Sequence, residues 1–189
     1  MGADGARTKG VGFANVRAFV TEHFGESGWD AVLGSMDPGD RQELLAVTPV
    51  GWYSLMLYAR LIRAADAVHG KGDLALVEAI GRYEAQHDLT SIHRIFLKLV
   101  NPAYVVEQLA KLWTRFHDTG SWEVTRFTTT HATAVLRDWG CADAAMCREL
   151  TGYLARSLEI CGGHGVVVEH TKCRARGDDA CVFDGRWRG

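Results

Sequence analysis

The segment from His170 to Phe183 most constrains the fold of this 189-residue chain. Two short apolar runs, Val166–Val168 and Cys181–Phe183, flank a polar loop that contains a glycine and two aspartates. Apolar runs on either side of a Gly-containing polar loop are typical of a strand, a tight turn and a second strand. The sequence therefore predicts a C-terminal hairpin that brings Cys173 and Cys181 to the same end of a sheet.

Four side chains in and before this hairpin form a donor set for zinc. Cys147 lies near the start of a predicted helix that leads into the hairpin, and His170 precedes Cys173 by three residues. Together with Cys181 they offer the four nitrogen and sulfur ligands of a tetrahedral site. A closed four-ligand shell indicates a structural zinc rather than a catalytic one. The alternative is a metal-free cysteine cluster, because free cysteine is among the most buried residue types.

Strand geometry adds a condition to this prediction. In a regular strand, residues three positions apart point to opposite faces. His170 and Cys173 can therefore bind one ion only if the strand ends or bulges between them. The other two cysteines, Cys141 and Cys161, have no comparable polar context, and we interpret them as ordinary cysteines. An odd total of five cysteines favours a reducing cytoplasm over a disulfide framework.

The same region resembles a known family. Its three matching runs are Cys147-Arg-Glu-Leu-Thr-Gly-Tyr153, His170-Thr-Lys-Cys173 and Gly177-Asp-Asp-Ala-Cys181-Val-Phe183. They resemble the C-terminal signature of 4-vinyl reductase-type small-molecule-binding domains, and the hairpin run is similar to that of the myxobacterial members. The family includes the sensor domains of phenol-responsive transcription activators, in which three cysteines and a Glu hold a structural zinc. His170 stands where that Glu would be.

The resemblance also implies a ligand site. The related sensors bind an aromatic ligand between helices and sheet, with a His and a Trp near its polar group. His93 and Trp122 are the positions with a matching separation. The alternative is that Trp122 is part of the core and that His93 is a surface histidine.

The segment from Phe19 to Leu33 resembles the opening of H-NOX domains, haem-based gas sensors that share an overall fold with the vinyl reductase type and with transport-particle subunits.

The order of elements predicts an α+β fold. Residues 1–10 are Gly-rich and polar, which predicts a disordered tail, and residues 11–189 form one domain. Helical patterns follow, including one helix from Trp52, one capped by Thr90 and one that starts at Pro102. The pattern then changes to that of two strands, which are followed by a helix and the final hairpin. Their bounds are Ser121–Thr129, His131–Trp139, 144–160 and the hairpin of residues 166–183. We expect an N-terminal helical bundle packed on a four-stranded antiparallel sheet with the order β-β-α-β-β.

Composition and motifs exclude several function classes. The formal net charge of -2 gives no electrostatic basis for binding nucleic acid or an anionic membrane. No apolar run is long enough to span a bilayer, and the N-terminus lacks the pattern of a signal peptide. The chain contains no Gly-x-Ser-x-Gly, no phosphate-binding loop and no His-Glu-x-x-His. We therefore expect a cytoplasmic protein that is not an enzyme.

These observations lead to one function and two alternatives. The first is a non-catalytic cytoplasmic sensor domain that binds a small apolar or aromatic molecule and carries a structural zinc. Its expected partners are a second copy in a homodimer or a downstream signalling protein. The second is a dimeric protein-interaction scaffold of the transport-particle-subunit type. The third is a haem-based gas sensor with His93 as axial ligand, although the chain lacks the Tyr-x-Ser-x-Arg motif with which H-NOX domains grip the haem propionates.

Overall fold

The computed structural model describes residues 5–90 and 111–189. The helices are α1 (Gly10–Ser35), α2 (Pro38–Leu45), α3 (Leu55–His69), α4 (Ala75–Thr90) and α5 (Ala144–Ile160), and residues 111–116 are also helical. The strands are β1 (Arg7–Lys9), β2 (Trp52–Ser54), β3 (Ser121–Phe127), β4 (His131–Arg137), β5 (His164–Lys172) and β6 (Cys181–Arg188). The predicted α+β class and its C-terminal order β-β-α-β-β are confirmed. The predicted helix starts at Thr90 and Pro102 concern a segment that lies mostly outside the described residues.

The C-terminal sheet has four antiparallel strands in the order β3-β4-β6-β5. Helix α5 connects its two hairpins, and its bounds are those that the sequence predicts. Asp143 caps this helix because its carboxylate accepts a hydrogen bond of 2.7 Å from the backbone N–H of Ala145. The cap places Cys147 in the first turn of α5, at the end that faces the β5–β6 hairpin.

The N-terminal residues differ from the prediction of a disordered tail. Residues 7–9 form β1, which pairs antiparallel with β2. Ala6 is 3% exposed, and its carbonyl accepts a hydrogen bond of 2.9 Å from Leu55 N–H. Trp52 likewise lies in β2 rather than at the start of α3. Both corrections have one cause: the pairing joins segments that are far apart in the sequence, and a local pattern cannot show such contacts.

Helices α4 and α5 pack at very short distance through two glycines. A Cβ on Gly81 would overlap the carbonyl oxygen of Glu149, and one on Gly152 would overlap that of Glu78. Such a close approach of two backbones requires residues without side chains. It brings the polar residues of both helices, including Glu84, into one buried interface.

One large apolar cluster fills the space between the helices and the sheet. It includes residues of α1, α3, α4, α5 and the hairpins, and the three cysteines of the predicted metal site belong to it. A smaller cluster between α5 and the sheet contains Ala132, Leu158 and Trp187. Within the part of the chain that the structure describes, no helix has the length and apolar character needed to cross a membrane.

Candidate functional site

The structure brings Cys147, His170, Cys173 and Cys181 together. One ligand atom from each lies within 4.8 Å of the corresponding atoms of the others. The three cysteines are 1–2% exposed, and His170 is half-buried. Helix α5 supplies the first ligand and β5 the second; Cys173 follows β5 directly, and Cys181 is the first residue of β6.

A bulge in β5 allows His170 and Cys173 to share this site. His170 pairs with Phe183, whereas Lys172 pairs with Val182, so β5 has one extra residue between these two pairs. The bulge changes which face the following residues point to. Strand β5 then ends at Lys172, immediately before Cys173. The geometric condition that the sequence sets for chelation is therefore met.

The sulfur–sulfur distances suit a tetrahedral metal site. Cys147 Sγ lies 3.6 Å from Cys181 Sγ and 3.8 Å from Cys173 Sγ. Zinc–sulfur bonds of about 2.3 Å at tetrahedral angles place two ligand sulfurs about 3.8 Å apart. A disulfide would require about 2.05 Å between sulfurs, and all five cysteines are free. The distances therefore suit thiolates around one ion and not a disulfide.

The electrostatics of the cluster favour a thiolate at Cys181. The hydrogen bond from Cys147 lowers the pKa of the Cys181 thiol to about 4, although burial acts in the opposite direction. The backbone N–H of Arg174 also donates to Cys181 Sγ at 3.5 Å. The same hydrogen bond raises the pKa of the Cys147 thiol, so the proton that the pair shares stays on Cys147. A bound cation would replace that proton, because metal ligands bind as thiolates.

His170 has a ring nitrogen that is suited to metal binding. Its Nε2 is buried and has no hydrogen-bond partner among the described residues. The ring stacks on Phe183 with a centroid distance of 4.5 Å and an interplanar angle of 9°. A buried, unpaired polar atom is costly unless something satisfies it. A metal ion shared with the three cysteines would satisfy it.

A second candidate site is a cavity of about 350 Å³ between the helices and the sheet. Aromatic rings form much of its described wall; they are Tyr58, Trp113, Phe116, Trp122, Trp139 and Tyr153. Trp122, the predicted ligand residue, lies on this wall and also contacts Trp113 and Phe183 in the core, with ring centroids 5.6 and 5.5 Å away. Its role in ligand binding stays a prediction, and His93 lies outside the described residues.

The same cavity has an acidic wall that the sequence reasoning missed. Glu84 on α4 and Glu149 on α5 are 4% and 8% exposed and share a hydrogen bond, which requires that one of them be protonated. Burial raises the pKa of Glu84 well above its ordinary value and that of Glu149 to about 7. Tyr58 donates to Glu84 at 2.7 Å. A signal existed: Glu84 lies four residues after Ile80, on the apolar face of α4.

Asp88 extends the acidic wall by one helical turn. It accepts hydrogen bonds from Asn15 Nδ2 at 3.0 Å and from the Tyr153 hydroxyl at 3.3 Å. Burial raises its pKa, and the two hydrogen bonds act in the opposite direction. The three carboxyl groups thus have neutral hydrogen-bond donors around them, and they line the cavity together.

Comparisons with known proteins identify the fold. No protein-family model matches the chain, and no curated protein matches it. Solved structures of H-NOX proteins do match. The H-NOX protein from S. oneidensis in the Fe(II)NO state gives a TM-score of 0.74 at 14% identity, covering 96% of this chain and 99% of that one. The Fe(II) unliganded protein from K. algicida gives 0.71 at 14%, covering 96% and 97%.

A third match is the IWP-051-bound H-NOX from Shewanella woodyi in the Fe(II)CO state. It gives a TM-score of 0.67 at 12% identity and covers 95% of this chain and 94% of that one. The chain therefore has the fold of H-NOX domains over nearly its whole length. The distant likeness that the sequence predicts is confirmed at the level of the fold, whereas the resemblance to vinyl reductase-type domains stays a prediction.

The fold raises the question of haem, and the described cavity residues do not fit it. Haem propionates are anionic, but Glu84, Asp88 and Glu149 line this cavity. Among the described lining residues, Lys9 and Arg115 carry positive charge. Lys9 Nζ instead donates to the Val50 carbonyl at 2.9 Å and lies over the Trp52 ring, while Arg115 is exposed. An acidic wall with only these two cations among its described residues disfavours haem.

Proposed function

We propose that this chain is a non-catalytic sensor domain that binds a small apolar or aromatic molecule in the cavity between its helices and its sheet. The observation that carries the proposal is the cavity of about 350 Å³ with its aromatic wall. Ligand pockets are mostly apolar concave sites of this size range with a few placed polar groups. The H-NOX neighbours include NO-, CO- and IWP-051-bound states, so those proteins bind small ligands.

We further propose that Cys147, His170, Cys173 and Cys181 hold one structural zinc, as in the vinyl reductase-type domains that the hairpin resembles. The short sulfur–sulfur distances and the unpaired His170 Nε2 support this proposal. When bound, the metal would tie β5 and β6 to the first turn of α5 and so contribute folding energy directly. Five free thiols are compatible with a reducing cytoplasm, where we place the protein.

The dimeric scaffold is the competing proposal, and the cavity distinguishes the two. A scaffold needs no open pocket, whereas a sensor does. Leu154 lines the cavity and is half-buried, so Leu154→Trp should fill part of it. Leu45→Trp is the matched control, because Leu45 is 71% exposed and lies away from the cavity.

The experiment is a thermal-shift screen of small aromatic compounds on the purified protein and both variants, with light scattering for oligomeric state. Compounds that raise the melting temperature of the wild type and of Leu45→Trp, but not of Leu154→Trp, would support the sensor. A dimer without any cavity-dependent ligand would instead support the scaffold.

A further inference from the structure

The acidic wall of the cavity has no Lys or Arg partner among the described residues. Glu84 and Glu149 are nine-tenths or more buried, and Asp88 is half-buried. No Lys or Arg within residues 5–90 and 111–189 forms a salt bridge with any of the three. Buried carboxylates are normally paired with a cation because removing them from water is costly. Here the proton that Glu84 and Glu149 share stands where such a cation would be, and a ligand ammonium group could take its place.

A second observation also points to a ligand. Trp139 is 2% exposed, yet its Nε1–H has no hydrogen-bond partner among the described residues, and its side chain lines the cavity. His117 Nδ1 is likewise buried and unpaired on the same wall. Burial lowers the pKa of His117 to about 3, so the ring is neutral. Buried polar atoms of this kind usually have a hydrogen-bond partner.

The aromatic wall suits an organic cation as well as an apolar ring. Faces of Trp and Tyr attract ammonium groups through the ring quadrupole, and more strongly where water is excluded. Trp113 and Trp139 meet edge to face with their centroids 5.3 Å apart, and both line the cavity. Among the described lining residues, the cations that would compete for these rings are Lys9, which is bound elsewhere, and Arg115, which is exposed.

We infer that the ligand of the proposed sensor is a small aromatic amine that binds as its ammonium ion; this inference rests on the proposed function. Glu84, Asp88 and Glu149 hold the ammonium group, and the tryptophans enclose the ring. A hydroxyl oxygen on the ring accepts from Trp139 Nε1–H. A carboxylate ligand of the same shape is rejected, because the same acidic wall repels it.

Three compounds of nearly equal shape test this inference. Tyramine, tyrosol and 4-hydroxyphenylacetate carry the same phenol but end in an ammonium, a neutral hydroxyl and a carboxylate. Isothermal titration calorimetry on the purified full chain at pH 7 would give their dissociation constants. We expect tyramine to bind at least about tenfold more tightly than tyrosol, as for a charge-assisted hydrogen bond, with 4-hydroxyphenylacetate weakest.

The outcomes separate this inference from the proposed function. Tyrosol binding as tightly as tyramine would overturn the amine inference and leave the sensor proposal standing. Tightest binding of 4-hydroxyphenylacetate would overturn it in the same way. If none of the three compounds binds, the amine inference fails, and the thermal-shift screen with Leu154→Trp and Leu45→Trp decides the sensor proposal separately.

Charge-neutral variants assign the effect to the acidic wall. Glu84→Gln and Asp88→Asn keep the shape of each side chain but cannot form a carboxylate opposite the ammonium group, and each should weaken tyramine binding about tenfold. Tyrosol binding by the same variants should be unchanged, which also shows that they are folded. Glu123→Gln is the control, because this side chain is 61% exposed on β3 and does not line the cavity. Equal loss of tyramine and tyrosol binding in Glu84→Gln and Asp88→Asn would overturn the assignment.

Discussion

Glu84 on α4 and Glu149 on α5 share a hydrogen bond inside the interface that Gly81 and Gly152 bring to very short distance. The two carboxyl groups belong to helices that are distant in the sequence, and both line the cavity. The close contact of the two helices therefore positions this carboxyl pair at the wall of the candidate ligand site.

The first prediction concerns the pH dependence of stability. Burial raises the pKa of Glu149 from its ordinary 4.5 to about 7, so the folded protein holds a proton that the unfolded chain has released. Stability should therefore fall as pH rises from about 4.5 to about 7. Glu149→Gln cannot ionise and should be about 1–3 kcal/mol more stable than the wild type at pH 8, with little difference at pH 5.

Urea unfolding of both proteins between pH 5 and pH 8 measures this difference. The difference between the two free energies of unfolding at each pH removes effects that the two proteins share, such as weaker metal binding in acid. Glu123→Gln, on the exposed face of β3, should follow the wild type. Parallel stability curves for Glu149→Gln and the wild type would show that Glu149 ionises freely in the folded protein.

The second prediction concerns the metal. Cys173→Ser should lower the zinc content from one per chain and reduce the free energy of unfolding by about 3–5 kcal/mol, because a lost metal ligand removes folding energy. Mass spectrometry of the purified protein and thermal melting measure both quantities. Cys161→Ser alters a buried thiol outside the cluster and should keep its zinc. An unchanged metal content and melting temperature in Cys173→Ser would refute the zinc site.

The third prediction concerns the fourth ligand. His170→Ala should keep three thiolates but lower zinc affinity by more than about 100-fold, beyond the usual effect of changing groups outside the coordination shell. Competition with a chromogenic chelator measures the affinity. His164→Ala, which alters an exposed histidine at the start of β5, is the control. Equal affinities for His170→Ala and the wild type would mean that another group completes the shell.

The fourth prediction concerns the contact of α4 with α5. Gly81→Ala should destabilise the protein by about 2–3 kcal/mol, because the new Cβ would overlap the Glu149 carbonyl and force the helices apart. Gly34→Ala in α1 meets no atom within 4 Å and should be neutral or slightly stabilising. Chemical denaturation of both variants measures the difference, and a similar effect of the two substitutions would contradict the close contact.

The fifth prediction concerns haem. The acidic cavity wall should prevent haem binding, so protein purified from cells supplied with a haem precursor should show no Soret band. An absorbance scan on the sample used for metal analysis is sufficient. A Soret band with one haem per chain would show that Glu84, Asp88 and Glu149 do not exclude haem. His93 would then be the first residue to substitute.

Much of the metal site follows from local sequence. Cys173 and Cys181 flank one short loop, and Cys147 begins the helix before it, so a correct hairpin and a correct helix bring the thiols close together. The bulge after His170 does not follow, because β5 gains its extra residue only through its register with β6. The sequence shows that chelation needs a strand end or a bulge between His170 and Cys173, and the register of β5 with β6 provides that bulge.

The acidic wall shows the opposite case. The position of Glu84 on the apolar face of α4 hints at its burial, but no local pattern pairs it with Glu149. Their burial depends on how closely α4 approaches α5, which Gly81 and Gly152 decide in three dimensions. The same holds for β1, whose partner β2 lies far along the chain.

The sequence by itself determined the α+β class, the four C-terminal strands, the bounds of α5 and the four candidate zinc ligands, because each depends on periodicity or on spacing within a short segment. Only the tertiary structure decided the pairing of β1 with β2, the bulge in β5, and the cavity with its acidic and aromatic walls. These features arise from contacts between distant segments, where burial and proximity, rather than local preference, set the energy of each side chain.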